Sequence, residues 1–570
     1  MSVGCSVESP NQHGRERNPM AFAFIEQPQP VHYFKSQYPK LLNSRFSSFV
    51  FVLALIAPSF AAEKVKISVD ASNGGATINR NIFGQFAEHL GQGIYEGIWV
   101  GPDSRIPNTR GIRNDVVAAL KAIHVPNVRW PGGCFADEYH WHDGIGQHRA
   151  VRLNPNWGGV IEPNTFGTHE FMDFIDQIGS HAYVSVNVGS GTPREAADWL
   201  EYMTAGQPTT LAKERAVNGH PDPYKVAVLG VGNESWDCGG NMSADYYTSQ
   251  MKIYSRFVRN YNPAQQAGPG EHNKEEMMKI AVGPGGSEPR FVDWTETVMN
   301  AYQNHSWSWD INGLSMHNYT VINWQNKFSS TNFGESEYAQ FLEATLQMDG
   351  LINKYSAIMD KYDPQKKVAL IVDEWGSWYA PLPGTNPGFL MQQNSLRDAV
   401  LAALNLNIFA RHADRVRGAN IAQMINVLQA MILTDKEKMV LTPSYYVFKM
   451  YVPFQDATFV PVMFDAGTYK HENVSLPRID AIAAKDSRGK LWLEITNIDP
   501  NQSAEIDLSI AGMNAKSAAG QTLTAPKVDS INTFNAPNAV VPKPISAMAE
   551  NGKLTLTVEP KSVTVISVEK

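Results

Sequence analysis

At 570 residues the chain exceeds what one hydrophobic core ordinarily fills, and two folded domains are expected. The composition, 43% hydrophobic and 18% charged, is that of a soluble globular protein. A net charge of -8 and a pI near 6.0 argue against nucleic acid as a partner.

The first sixty residues read as a leader rather than as fold. Lys35, Lys40 and Arg45 precede an apolar run at 49–56, and Pro58, Ser59, Phe60 and Ala61 follow it. A basic region, a short apolar region and small residues at a cleavage point are the pattern of an export signal, cut after Ala61 or, as second choice, Ala62. A disordered tail is the alternative, and Met20 or a later residue is an alternative start. The run is too short to span a bilayer. On this reading the protein is secreted or periplasmic, with no membrane attachment after processing. Only Cys134 and Cys238 then remain, too few for a disulfide framework and in no zinc-binding spacing.

A strand is expected at 65–70, closed by a turn around Asn73-Gly74-Gly75. Short apolar runs then recur at 82–86, 125–130, 182–188, 226–231, 280–282, 311–316, 368–372 and 419–427. Helix-compatible amphipathic segments separate them, among them 114–123, 170–178, 244–258 and 340–359. Eight strands alternating with helices predict an α/β fold, a (β/α)8 TIM barrel. The eighth run is equally compatible with a buried helix. After Ser444 the rhythm changes to strand-like runs at 479–483, 490–495, 504–510, 553–558 and 562–568, with turns at Asp486-Ser487-Arg488-Gly489 and Asn551-Gly552, which predicts a C-terminal antiparallel β-sandwich. The stretch 529–544, rich in Asn, Ala and Pro, reads as loop. The domains are accordingly a leader at 1–61, an N-terminal strand region at 62–80 that joins the sandwich, a catalytic barrel at 81–444 and a sandwich at 445–570.

In a parallel barrel the C-terminal tips of the strands carry function. The fourth run ends in Gly232-Asn233-Glu234 and the seventh in Asp373-Glu374-Trp375. Either one alone is no more than a buried strand stopping at a polar loop. Together they suggest two facing carboxylates, the minimum equipment for retaining or inverting glycoside hydrolysis. Glu88 and His89 end the first run, Arg129-Trp130-Pro131-Gly132-Gly133-Cys134 the second, and His317-Asn318-Tyr319 the sixth, while the eighth carries Gln423 and Asn426.

These motifs resemble glycoside hydrolase family 51, the α-L-arabinofuranosidases. They are Phe83-Gly84-Gln85-Phe86-Ala87-Glu88-His89-Leu90-Gly91, Arg129-Trp130-Pro131-Gly132-Gly133, Gly232-Asn233-Glu234, Asp373-Glu374-Trp375 and Ala422-Gln423-Met424-Ile425-Asn426-Val427. A lone Asn-Glu after a strand is common to many barrel glycosidases; the ordered set of five is specific, and the resemblance runs over nearly all of 64–570. It implies a retaining, exo-acting enzyme that needs no cofactor or metal and removes terminal arabinofuranosyl groups from plant cell-wall arabinan, arabinoxylan or their oligosaccharides. It implies Glu234 as general acid/base and Glu374 as nucleophile. It implies Glu88, Asn233 and Gln423 as contacts to sugar hydroxyls, Tyr319 as the ring that positions the nucleophile, Trp157 as an aromatic wall, and a homo-oligomer. Cys134 stands where many relatives have Asn, and a thiol does not replace an amide's donors.

Three other readings compete. A β-xylosidase or endoglucanase would use the same scaffold and the same two Glu residues. A secreted carbohydrate-binding protein without catalysis would not need both acids. A metal hydrolase would use His140, His142 and Asp143, with both imidazoles on one face of a strand. Finally, Cys134 and Cys238 follow strands that end at the same barrel face. A bridge between them would tie the Glu234 loop to its neighbour; two ordinary buried thiols are the alternative.

Overall fold

The computed structural model describes residues 63–268, 273–550 and 553–570; the leader, its cleavage point and the turn Asn551-Gly552 lie outside them. Among the described residues no helix is long and apolar enough to cross a membrane.

Eight parallel strands close into a barrel. They are β1 (Gly84–Phe86), β2 (Asn127–Trp130), β3 (His181–Val186), β4 (Val228–Val231), β5 (Met278–Ala281), β6 (Gly313–Thr320), β7 (Ala369–Ser377) and β8 (Val416–Ile421). β8 pairs with β1 through Asn420↔Gly84 and Ile421↔Gln85, which completes the ring. All four residues of β4 and all nine of β7 are buried, as strands covered on both faces must be. Several helices between strands begin at side-chain caps. Thr192 accepts from the Glu195 amide and Pro193 opens the helix Pro193–Thr204, where its missing N–H costs nothing.

The apolar run at 419–427 is strand only to Ile421. Ala422, Met424, Ile425, Val427 and Leu428 continue as buried loop, so burial rather than pairing accounts for their character. The loop's amides still find partners: Gln423 donates to the Val427 carbonyl, Met424 to Phe86 and Asn426 to Ile432.

β7 departs from regular pairing where it matters. Against β6 its register advances from Ser315↔Ile371 to His317↔Glu374, one residue more on β7 than on β6. In a regular strand neighbouring side chains face opposite ways. The inserted residue lets both Asp373 and Glu374 reach Arg129 in the barrel interior. Trp375 points outward, edge-on to Phe409 with centroids 5.3 Å apart.

The β-sandwich is one ten-stranded sheet folded over on itself. Its strand order starts at Thr458–Val460 and ends at Val462–Phe464, two strands separated only by Pro461. A proline cannot donate to a ladder, and here it marks the crossing between the two layers. The strand Glu63–Asp70 lies in this sheet, antiparallel to Val462–Phe464 but parallel to Ala504–Ala511, the one parallel pair of the sandwich among the described residues. Period-two alternation divides the strand Ile479–Lys485 between two cores: Ala481 and Ala483 face the sandwich interior, Ile482 and Ala484 the barrel side. The helix Leu396–Arg411 lies between barrel and sandwich and is buried on every side, which explains its apolar residues all round.

Candidate active site

The strand tips surround a cavity of about 750 Å³ lined by Glu88, Cys134, Trp157, Glu234, Tyr319, Glu374 and Gln423 among others. Of the eight site residues expected from sequence, Asn233 alone is not on that lining. It is buried beneath, its Oδ1 accepting from Arg129 Nη2 at 2.6 Å and its backbone N–H donating to Asp137 Oδ2 at 2.9 Å.

Glu374 is nearly enclosed, its side chain 7% exposed. One oxygen accepts from Arg129 Nη1 at 2.7 Å, the other from the Tyr319 hydroxyl at 2.8 Å. Arg129 is itself buried, over the Phe86 ring at 4.6 Å. Removing it would leave a buried carboxylate without its partner, a loss on the order of 3–5 kcal/mol. Glu234 follows Gly232 and takes φ 36°, left-handed backbone that a non-glycine residue adopts at a cost of about 1–3 kcal/mol. Its carboxyl is more open, 19% exposed, and Oε1 accepts from His317 Nδ1 at 2.8 Å.

His317 joins the two acids. Nδ1 also lies 3.5 Å from Glu374, and Nε2 is 3.2 Å from Asp373, which accepts from the Tyr183 hydroxyl at 2.6 Å. Burial alone would lower the imidazole's pKa. The carboxylates of Glu374 and Asp373 outweigh it and push the value up to about 10, so both ring nitrogens carry protons at neutral pH. Asp373 is driven down despite burial by Arg129 and His317. Glu234 goes up, from burial first and the Glu374 charge second, with the His317 hydrogen bond opposing. A carboxylate oxygen of Glu234, one of Glu374 and a nitrogen of His317 all lie within 4.8 Å of one another.

Glu88 accepts three hydrogen bonds: from the Phe135 amide at 3.1 Å, Trp157 Nε1 at 2.9 Å and Gln423 Nε2 at 2.8 Å. Burial and then the Glu374 charge still raise its pKa to about 7. A side chain at Gly133 would stand 3.0 Å from Glu374 and 3.5 Å from Glu88, so glycine keeps open the gap between these two acids.

Cys134 and Cys238 are joined by a disulfide, Cα atoms 5.4 Å apart, across the position of β3. The Cys238 sulfur lies 3.7 Å from Glu234 Oε2 and 3.8 Å from Asn233 Nδ2. A disulfide sulfur carries no proton, so it accepts weakly from the amide and donates nothing to Glu234. His140 pairs with Glu195 and Asp143 with Arg152. Among the described residues neither they nor His142 fall in a group of three or more candidate ligands, and Cys134 and Cys238, which meet Glu234, are bonded to each other and offer no thiolate.

Sequence reasoning gave no role to Arg129, Asp373 or His317, nor to the cavity's Trp236, Trp324 and Trp378. His317 had a usable signal. It stands two residues before Tyr319 on β6, so both face the same way. The tryptophans come from loops without such a period.

A family model described as the α-L-arabinofuranosidase C-terminal domain matches residues 373–562, and another, the α-L-arabinofuranosidase 1 domain, matches 119–280. An intracellular exo-α-L-arabinofuranosidase of Bacteroides ovatus is 43% identical over 92% of this chain and 99% of its own. The crystal structure of the GH51 arabinofuranosidase of Xanthomonas axonopodis pv. citri is 50% identical with a TM-score of 0.84, covering 89% of this chain and 100% of that one. An arabinose complex of the Thermotoga maritima α-L-arabinofuranosidase is 30% identical with a TM-score of 0.77 over the same shares. These relatives correct the secreted or periplasmic address expected above. The B. ovatus enzyme is named intracellular, as is a Streptomyces lividans enzyme 26% identical over 87% of this chain and 74% of its own. The apolar run at 49–56 is eight residues long, near the short end of the about 7–15 residues of an export signal's apolar region, so the pattern alone discriminates weakly. Identity of 43% and 50%, sustained over essentially the full length of two relatives, far exceeds what a shared barrel requires, and the chain belongs to glycoside hydrolase family 51, the α-L-arabinofuranosidases.

Proposed function

We propose that this glycoside hydrolase is a retaining, exo-acting α-L-arabinofuranosidase that releases terminal arabinofuranosyl groups from arabinan, arabinoxylan or their oligosaccharides. The observation that carries the reading is the approach of Glu234 and Glu374, whose nearest oxygens lie within 4.8 Å. Retaining glycosidases hold their carboxyl groups about 5–5.5 Å apart, whereas inverting ones leave about 6.5–9.5 Å for a water.

In this mechanism Glu374 attacks the anomeric carbon while Glu234 gives its proton to the departing oxygen. Because His317 Nδ1–H occupies Oε1, the acidic proton sits on Oε2. The bond to the leaving group breaks and an ester to Glu374 forms. Esterification removes the Glu374 charge, which lowers the pKa of Glu234. Glu234 then takes a proton from water, which attacks the ester carbon and frees the sugar with its configuration kept. Arg129 and Tyr319 hold Glu374 in line. Glu88 and Gln423 supply the hydroxyl contacts, Trp157 an apolar wall, and Asn233 supports the site through Arg129.

The cavity is larger than a single five-carbon sugar fills, and the excess is bounded by Trp236, Trp324 and Trp378, a fitting environment for the sugar on the leaving side. The test is a panel of aryl glycosides with polymer product analysis. 4-Nitrophenyl α-L-arabinofuranoside should be cleaved far faster than the β-D-xylopyranoside, and arabinan and arabinoxylan should yield free arabinose. Equal rates on both glycosides, or internal cleavage of a polymer, would reject the reading.

A further inference from the structure

Asp137 ends the short turn Cys134–Asp137 that follows β2, and it is 2% exposed. It does not line the cavity. Its carboxylate instead gathers three strand ends. Oδ1 accepts from the backbone N–H groups of Val188 and Gly189 beyond β3, both at 2.8 Å, and Oδ2 accepts from the Asn233 N–H beyond β4 at 2.9 Å. That N–H belongs to the Gly232–Asn233 peptide, one residue before Glu234 and its left-handed backbone. The niche is tight: a side chain at Gly189 would approach Asp137 Cβ to 2.9 Å, and one at Gly239 would come within 2.7 Å of Oδ2 and 1.7 Å of the Asn233 carbonyl. At the other end of the same turn, Cys134 is bonded to Cys238, four residues past Glu234. One turn after β2 thus holds the Glu234 loop at both ends.

We propose that Asp137 is a positioning residue for the general acid/base: it fixes the Asn233 peptide so that the Glu234 carboxyl meets the departing oxygen. The proposal rests on the role given to Glu234 above. The carboxylate offers acceptors on both sides, and asparagine does not. In Asp137→Asn the single carbonyl oxygen satisfies Val188 and Gly189, which leaves the amide NH₂ facing the Asn233 N–H, donor against donor. The alternative flip sets two donors against the NH₂ and is worse. The variant therefore frees the Asn233 end selectively.

The consequence falls chiefly on proton transfer, because Arg129 keeps its own bond to Glu374 when Asn233 shifts. With a leaving group that needs no proton, a misplaced acid costs little in the first step; with a poor leaving group it costs most. The experiment measures kcat/KM for Asp137→Asn against arabinofuranosides whose leaving groups run from 2,4-dinitrophenol to an alcohol, with Glu234→Ala in parallel and thermal melting of each protein. We expect a fall of about 10-fold or more on the alkyl substrate and under about 3-fold on the dinitrophenyl one. Equal falls on both would make Asp137 merely structural, and no fall on either would remove it from the reaction; each outcome overturns the proposal. If Asp137→Asn does not fold, Asp137→Ser, which keeps one acceptor in less space and no longer spans both strand ends, must show the same leaving-group signature. If Glu234→Ala lacks that signature, the assignment of the acid has failed. If Glu234→Ala shows it and Asp137→Asn does not, only the present inference has.

Discussion

Between the two carboxylates stands His317, 2.8 Å from Glu234 and 3.5 Å from Glu374, its charge kept by Asp373 on the other side of the ring. A cation there lets one carboxylate stay ionised beside a protonated one in a buried site. His317→Gln keeps a donor but removes the charge. Burial and the Glu374 charge then act on Glu234 with less opposition, so its pKa rises further. Since the acid works only while protonated, the alkaline limb of the kcat/KM profile should move to higher pH. kcat should fall about tenfold or more, because a donor too weak in acidity transfers its proton less readily. A limb that stays in place or moves down would show that His317 does not act through Glu234. The sequence made the two acids legible because each ends a continuous apolar run. Arg129 and Asp373 were harder to place, since their roles depend on contacts between β2 and β7 that no local pattern encodes; His317 left one local sign, its two-residue spacing from Tyr319.

At the scale of elements, the barrel was written in the sequence as alternation, and each of the eight apolar runs contains or overlaps a barrel strand. What could not be read is the extra residue in β7. Asp373-Glu374 looks like any acidic pair at a strand end, yet only the register shift turns both side chains inward. Strands Ser517–Leu523 and Lys543–Glu550 escaped for a different reason. The first is made of small and polar residues such as Ala518, Ala519, Gly520 and Gln521, which carry little strand propensity. The second begins at Lys543 and Pro544, inside a stretch that reads as loop. The loop after β2 makes its own prediction. Gly133→Ala places a methyl group 3.0 Å from Glu374, in the space between it and Glu88. The fold should melt unchanged while kcat/KM on the aryl arabinofuranoside drops by about 10²-fold, as misplacement by about 1 Å in a catalytic site commonly does. An unaffected rate would show that substrate does not pass this gap.

For the whole molecule, barrel and sandwich meet through a buried polar network as well as through apolar packing. Asn407 of the helix Leu396–Arg411 donates to Glu494 at 2.6 Å and to Asp480 at 3.0 Å, and Arg411 pairs with Asp480 at 2.8 Å. Burial pushes Glu494 up to about 8, with hydrogen bonds from Thr496, Asn407 and Tyr451 opposing. A carboxyl whose folded pKa is raised favours the folded state while protonated. That contribution is complete below about 4.5, the ordinary value, and is lost as pH rises to about 8. Tm should therefore fall between pH 5 and pH 8, a sign that Glu88 shares, since it is raised to about 7. Glu494→Gln imitates the protonated form and should reduce that fall by about 2 °C or more; an unchanged slope would remove Glu494 from the interface energetics. The barrel's central consequence is that strands β4 and β7 deliver Glu234 and Glu374, 140 residues apart in the chain, to one site. The most direct test is the stereochemistry of azide rescue. Glu234→Ala, given 4-nitrophenyl α-L-arabinofuranoside and azide, should regain turnover and release the α-L-arabinofuranosyl azide, because azide opens the Glu374 ester from the face the aryl group left. Release of the β azide by Glu234→Ala, or of the α azide by Glu374→Ala, would contradict the assignment of the two carboxylates.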